Sequence, residues 1–232
     1  MITVIFSVDP KITQLMNDHF GLIKLNINEN TPDFQIFRLG GVVLLESKKD
    51  DASFRNAFLY GYSEFNPDLI LFVGTATGIG SEVREGDVIL PNVFFEYNAN
   101  IEDITLDKAN RDSFLKDPIF LEQYNLQTDY NFENFGLSIG GISVTSQNKI
   151  EKTAENFDKI RIAYEADLAD NYSYTFVDEA KKLDLLNKTY VILGVSASHE
   201  ETPIEHITHI VSFLLDNISG ELSGKITDEI IE

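Results

Sequence analysis

The sequence predicts an α/β protein: a three-layer sandwich with a mostly parallel mixed central sheet flanked by helices. Three observations predict it. Short apolar runs recur at residues 2–6, 42–45, 69–73, 137–144 and 190–195. The run Leu69-Ile70-Leu71-Phe72-Val73 is apolar on both faces, as a strand covered from both sides must be. Segments with apolar residues at helical spacing separate the runs, and strands alternating with helices favour a parallel sheet with helices on both faces. At 232 residues, one domain spanning 1–232 is expected, with a substantial core.

The elements follow in order. Residues 2–6 open the chain as a strand. Asp9-Pro10 suits a helix start, with Asp as cap and Pro in the first turn. Val42-Val43-Leu44-Leu45 is a second strand. A helix is expected around residues 52–65, with Ala57, Phe58 and Tyr62 on one side, and Pro67 breaks the chain before the central strand. Gly74-Thr75-Ala76-Thr77-Gly78-Ile79-Gly80 reads as a Gly/Thr loop, and Gly86-Asp87-Val88-Ile89-Leu90 as a turn and another strand. Residues 98–134 are polar and irregular, with one apolar cluster at Ile119, Phe120 and Leu121, and read as a surface excursion with a short helix. Strand character returns at 137–144. Residues 160–165 read as a short strand leading into a helix with Leu168, Tyr172, Phe176, Ala180 and Leu183 on its apolar face. Residues 190–195 form a buried strand. A last helix starts near Pro203, and its stripe of Ile207, Ile210, Val211, Leu214, Leu215 and Ile218 reads as core.

Composition narrows the function classes. There are 18 Lys and Arg against 38 Asp and Glu, a formal net charge of -20. Such a surface repels phosphate backbones and anionic head groups, so no nucleic acid and no membrane partner is expected. The sequence has 0 Cys, which removes disulfides, thiolate nucleophiles and Cys-ligated zinc. No run approaches the length of a membrane span, and Met1 to Asp9 do not read as a signal peptide. A cytoplasmic protein is expected. His206 and His209 stand three apart, a spacing metal sites use, but no acidic pattern completes a site; they read as surface residues, with no metal and no cofactor expected. Walker, dinucleotide-binding and nucleophile-elbow motifs are absent.

The segment from Pro67 to Ile79, followed by Gly86-Asp87-Val88-Ile89, resembles the signature of the nucleoside phosphorylase/nucleosidase superfamily. That signature is a strand, Gly-Ser/Thr-Ala-Gly-Gly, a spacer and Gly-Asp-Val-Val. The likeness is nearest to 5'-methylthioadenosine/S-adenosylhomocysteine nucleosidases. Gly141-Ile142-Ser143-Val144-Thr145-Ser146-Gln147 looks like the segment flanking the base. Ile162-Ala163-Tyr164-Glu165-Ala166 looks like the "Val-x-Met-Glu-Ala" stretch. Val191-Ile192-Leu193-Gly194-Val195-Ser196 looks like the strand that ends in "Ile-Ser-Asp".

The resemblance implies cleavage of an N-glycosidic bond through a ribose with oxocarbenium character, helped by an acid at the base. Glu165 falls on the ribose-binding Glu, because a carboxylate accepts from two vicinal hydroxyls at once; it also reads as a solvated acid. Tyr164 replaces the Met that lies against the ribose. Gly74 and Thr75 fall on the loop that faces the nucleophile, while Thr77 replaces one of its glycines. Ala197 falls where the catalytic Asp belongs, so His199 and Glu200 become the candidate substitutes, His199 for its titration near neutrality. Asp9 is the one acid near the place of the water-activating Glu, and it equally suits a helix cap. Lys149 stands where a base-stacking aromatic is expected, and Phe72 where some phosphorylases carry Arg. Losing that countercharge favours hydrolysis over phosphorolysis. The expected ligand is a small-molecule nucleoside or nucleoside derivative, and the resemblance implies a homo-oligomer, dimer or hexamer. The alternative is a catalytically inactive nucleoside-binding homologue acting as a sensor or interaction protein.

Overall fold

The apolar runs pair into one mixed sheet with helices packed against it. This computed structural model describes residues 1–25, 33–97, 115, 117–121, 137–145, 153–196, 207–208 and 210–212. Among them lie strands β1 (Thr3–Ser7), β2 (Ile23–Leu25), β3 (Phe34–Leu39), β4 (Val42–Ser47), β5 (Leu69–Gly78) and β6 (Val88–Leu90). They are followed by β7 (Val93–Glu96), β8 (Ile119–Phe120), β9 (Leu137–Ile139), β10 (Ile142–Thr145), β11 (Leu168–Asp170) and β12 (Thr189–Ser196). The main path of the sheet runs β2-β3-β4-β1-β5-β11-β10-β7-β8, and β12 joins it along β5 and carries β6 and β9 beyond. The helices are α1 (Pro10–Phe20), α2 (Asp51–Phe65), α3 (Ala154–Tyr164) and α4 (Ser173–Lys182).

Local chemistry explains the helix boundaries. Asp9 accepts a hydrogen bond from the Lys11 N–H at 3.0 Å, Pro10 opens α1, and Gly21 closes it in the left-handed region. Ile12 and Met16, one turn apart, bury that helix's apolar face. Asp50 caps α2 through the Ser53 N–H at 2.8 Å, and these bonds hold its carboxyl below the usual range. Asn66 ends α2 in the left-handed conformation.

An aromatic cluster joins α2 and α4 to the centre of the sheet. Phe6 of β1 stacks on Phe58 at 5.2 Å, Phe54 meets Phe72 edge-on at 5.7 Å, and Phe176 lies 5.5 Å from Phe72. Burying one such ring contributes roughly 1.5–3 kcal/mol. An ion cluster closes the rim: Arg55 of α2 reaches Glu179 and Asp178 of α4, and Lys182 holds the same two carboxylates at 2.8 and 2.7 Å.

The structure corrects the sequence reading in four places. Residues 160–165 are no strand: Thr153 caps a helix that runs through Tyr164, and the strand is Leu168–Asp170, with the next helix starting at Ser173. Leu168 and Tyr172 therefore precede the helix whose face they were expected to share. The supposed loop beginning at Gly74 continues β5 to Gly78, because β12 pairs with it from Ile70 to Thr77. The apolar pair Ile119 and Phe120, given no strand in the sequence reading, pairs with β7, and most of the excursion expected to hold a short helix lies outside the described residues. Strands β2, β3 and β7 carry no clean two-residue alternation and go unannounced in the sequence. The last helix is partly described: Ile207, Thr208, Ile210, Val211 and Ser212 are helical, and Ile207, Ile210 and Val211 are buried. Among the described residues no helix is long and apolar enough to cross a membrane.

Candidate functional site

Strand β5 is where the sheet divides. Along one edge β12 pairs with it in parallel from Ile70 to Thr77. Two strands share the other edge. Parallel β1 ends its pairing at Phe6↔Phe72, and antiparallel β11 pairs Ala169↔Thr77 and Leu168↔Gly78. The carboxyl ends of β1 and β11 thus run toward each other. Between them, Val73 to Ala76 have no strand partner on that edge among the described residues. In open α/β sheets ligands bind in crevices beyond strand carboxyl ends where the strand order switches.

A cavity opens at this place, lined by Thr75, Ala76, Thr77, Phe157, Ala169, Asp170, Asn171 and Ser196. Its volume of ≈ 60 Å³ exceeds the roughly 10–15 Å³ that one water needs on the same measure. Every polar group in this lining is a hydroxyl, a carboxamide or a carboxylate, and Ser196 Oγ donates to the Ala76 carbonyl at 3.3 Å. A larger groove of ≈ 190 Å³ lies at the ends of β1 and β4, lined in part by Val8, Phe34, Glu46, Lys48 and Lys49, where Lys48 is held by Asp33 at 3.0 Å. The groove flanks the strands that run side by side, away from the division.

Asp170 anchors the cavity floor. Its side chain is buried at 4 % exposure, yet it accepts four hydrogen bonds. Thr145 Oγ1 donates at 2.7 Å and Ser173 Oγ at 2.9 Å to one oxygen. The backbone N–H groups of Ser173 and Tyr172 donate at 2.7 and 3.3 Å to the other. Thr145 Oγ1 in turn accepts from the Tyr174 N–H at 2.8 Å. The first turn of α4 is therefore satisfied by the chain's own carboxylate and hydroxyl, which closes that helix end to an outside anion. Burial pushes the Asp170 carboxyl above its ordinary value, while the bonds from Thr145, Ser173 and Tyr172 pull the other way. Tyr172 lies against Phe54 at 5.5 Å. Burial first, then the charges of Asp51 and Asp50, push its hydroxyl up to about 12.

The structure brings only part of the expected site together. Thr75 lines the cavity. Gly74 stands one residue before it inside β5, not in a loop. Its role is close packing: a Cβ there would meet the Phe72 ring at 2.9 Å and Leu193 Cδ2 at 3.4 Å. Tyr164 is 1 % exposed and packs on Phe95 at 5.4 Å in a separate cluster with Ile160 and Ala163. Glu165 is exposed and caps the end of α3 in the left-handed region, φ 53°. Neither lines the cavity. His199, Glu200, Ala197, Lys149, His206 and His209 lie outside the described residues. Among the described residues no group of three or more His, Cys, Asp or Glu could hold a metal ion. Asp9 acts as the α1 cap. Phe72 is buried in the aromatic cluster, so its ring faces α2 and α4.

Two polar residues of the cavity escaped the sequence reading as site residues, Asp170 and Asn171, along with the apolar Phe157 and Ala169. The strand-then-helix junction expected to carry the sugar-binding side chain is present, but at 168–173 rather than 162–166. One signal was available. Asp170 three residues before Ser173 is a cap spacing, and Leu168-Ala169 ahead of it is a short apolar run. The competing apolar residues Ile160, Ile162 and Ala163 belong to a helix that Thr153 starts.

No family model and no curated protein matches the sequence. Solved structures match its fold. The 5'-methylthioadenosine/S-adenosylhomocysteine nucleosidase (MTAN) of Helicobacter pylori with butyl-thio-DADMe-Immucillin-A gives a TM-score of 0.70 at 13% identity, over 95% of this chain and 99% of that one. A mutant MTAN of Helicobacter pylori with 5'-methylthioadenosine in its active site gives 0.69 at 12%, over 95% and 98%. A futalosine hydrolase mutant of Helicobacter pylori gives 0.66 at 13%, over 95% and 100%. This chain has the mixed-sheet α/β fold of those nucleosidases. At such identities the likeness fixes the fold and leaves each residue's role to the geometry of the site.

Proposed function

We propose that the protein hydrolyses the N-glycosidic bond of a purine nucleoside or nucleoside derivative at the cavity lined by the ends of β5, β11 and β12. One observation carries this reading: a cavity lined by uncharged hydroxyl and amide groups, with one internally paired carboxylate, sits at the division of a sheet shared with nucleoside-cleaving enzymes. Thr75 faces the attacking water, and Asn171 meets the sugar. The acid that assists departure of the base comes from His199 or Glu200, which follow Ser196 within four residues. Water rather than phosphate is the nucleophile. The α4 N-terminus is already capped by Asp170, and Phe72 is committed to the core. The protein works in the cytoplasm as a homo-oligomer in this reading, and light scattering on the purified chain tests the second point.

A second reading has its own support. Both oxygens of the described carboxylate in the cavity are occupied by four internal donors, so Asp170 has no free lone-pair direction for acid–base work. A nucleoside-binding protein without turnover needs no such group. Base release decides between the two. The protein is incubated with methylthioadenosine, adenosylhomocysteine, adenosine, inosine and guanosine, with and without phosphate, and free base is followed by chromatography. Release without phosphate supports hydrolysis. Release only with phosphate overturns the choice of nucleophile. A rise in melting temperature with no base released supports binding without turnover.

A further inference from the structure

The cavity opens where strand β11 leaves β5. The antiparallel pairing of the two strands runs Leu168↔Gly78, then Ala169↔Thr77, and stops. Continued in the same register, it would set Asp170 against Ala76 and Asn171 against Thr75. Those four residues line the cavity instead. Asp170 stays in register with Thr145 of β10, so β11 keeps its β10 partner while it parts from β5. We propose that Asp170 is a positioning residue. Its carboxylate, held by Thr145 and by the first turn of α4, sets the cavity wall that faces β5 and so fixes the geometry in which a nucleoside is bound. This rests on the nucleoside reading above and names the support of that same site.

The four bonds to Asp170 come from three stretches of chain. Thr145 Oγ1, at 2.7 Å, belongs to β10, and the Tyr172 N–H, at 3.3 Å, belongs to the turn. Ser173 opens α4 and donates through its N–H at 2.7 Å and its Oγ at 2.9 Å. Thr145 Oγ1 accepts in turn from the Tyr174 N–H at 2.8 Å, and Ser173 Oγ reaches Ser143 Oγ at 3.5 Å. Ser143, Thr145 and Ser173 are fully buried. Burying a carboxylate carries a desolvation cost that an apolar side chain of like size avoids. What the network supplies is direction: hydrogen bonds hold narrow distances and angles, and a satisfied buried network stiffens what it joins. The turn is tied to the core as well, because the Tyr172 ring lies 5.5 Å from that of Phe54. Thr145 and Ser173 do not line the cavity, so their effect on a bound ligand passes through Asp170 and the turn it holds.

That last point gives the test. Dissociation constants by calorimetry, and kcat/KM where base is released, are measured with methylthioadenosine, adenosine, inosine and guanosine. The proteins are the wild type, Asp170→Asn, Thr145→Val, Thr145→Ser, the Asp170→Asn/Thr145→Val double variant and Ile12→Val. Ile12 is buried in α1 and absent from the lining, so Ile12→Val lowers stability and leaves the cavity untouched. A misplacement of about 1 Å costs roughly 100-fold in sites of this kind. Thr145→Val and Asp170→Asn are therefore each expected to weaken binding or kcat/KM by about 10–100-fold. Thr145→Ser keeps the hydroxyl and is expected to restore most of the loss. The double variant is expected to be little worse than either single one, because both break one network. Ser173→Ala removes the other hydroxyl from the same oxygen and takes the place of Thr145→Val if that protein does not fold. A loss in Asp170→Asn with none in a folded Thr145→Val or Ser173→Ala overturns the inference, since Asp170 then acts by touching the ligand itself. No loss in any of these variants overturns it too. An equal loss in Ile12→Val also overturns it, since stability alone then explains the effect. A wild-type protein that neither binds nor cleaves any of the four nucleosides overturns the nucleoside reading, and the inference falls with it.

Discussion

Asp170→Asn is the substitution with the most to say about how this site is built. The side chain keeps its size and loses one acceptor oxygen and its charge. Two of the four donors to Asp170 are backbone N–H groups, so the amide oxygen of Asn must face them, at 2.7 Å from Ser173 N and 3.3 Å from Tyr172 N. The amide nitrogen then faces Thr145 Oγ1 and Ser173 Oγ, at 2.7 and 2.9 Å. Both hydroxyls can rotate to accept, but Thr145 Oγ1 already accepts from Tyr174 N. Four charge-assisted bonds become neutral ones, and the relief of an uncharged side chain in a buried place opposes the loss. A net cost of about 1–3 kcal/mol is expected. Asp170→Ala should cost more, about 3–5 kcal/mol, because two buried N–H groups and a hydroxyl then have no acceptor.

Urea unfolding of the three proteins reads these costs as midpoint shifts at constant slope. Its pH dependence has a fixed sign. Burial raises the folded value of Asp170 above the unfolded 3.8. The associated stability is fully present below 3.8 and is lost as pH rises through the folded value. The wild-type advantage over Asp170→Asn should therefore shrink as pH rises across that window, without vanishing. If both variants unfold within about 0.5 kcal/mol of the wild type, the network is not anchoring the α4 end.

Other substitutions test neighbouring claims. Gly194→Ala places a Cβ 2.5 Å from Ile207 Cδ1, so a loss of about 1–3 kcal/mol is expected; Ile207→Val removes that carbon and should restore part of it in a double-mutant cycle. Glu165→Gly should stabilise by roughly 0.5–1 kcal/mol, since φ 53° there suits glycine, and base release should not change. A Glu165→Gly protein that loses turnover would return Glu165 to the site. Arg55→Ala strips one partner from Glu179, whose side chain is 9 % exposed, and Lys182 remains to hold it. A loss of about 1 kcal/mol, smaller at high salt, is expected in thermal unfolding.

The likeness read from residues 67–91 led to the fold because strand β5 and the Gly-Asp turn are local features, written in consecutive residues. Buried on both faces, β5 shows as an unbroken apolar run, and Asp9-Pro10 shows as a cap. The placement of the site was different. The stretch at 160–166 has the composition of a strand end, and only the cap at Thr153 and the packing of Ile160, Ala163 and Tyr164 make it a helix. Gly74-Thr75-Ala76-Thr77 looks like a loop until eight residues of β12 are laid beside it. Asp170 stands at a cap spacing from Ser173, and only the folded chain brings Thr145, twenty-five positions earlier, to 2.7 Å from it. Hydrophobic periodicity is a property of neighbours along the chain, so the alternation of buried strands and helices could be read from consecutive residues. Which polar residues share a cavity, and which carboxylate is held by internal donors, depends on hydrogen-bond partners drawn from across the sheet, and these meet once the chain is folded.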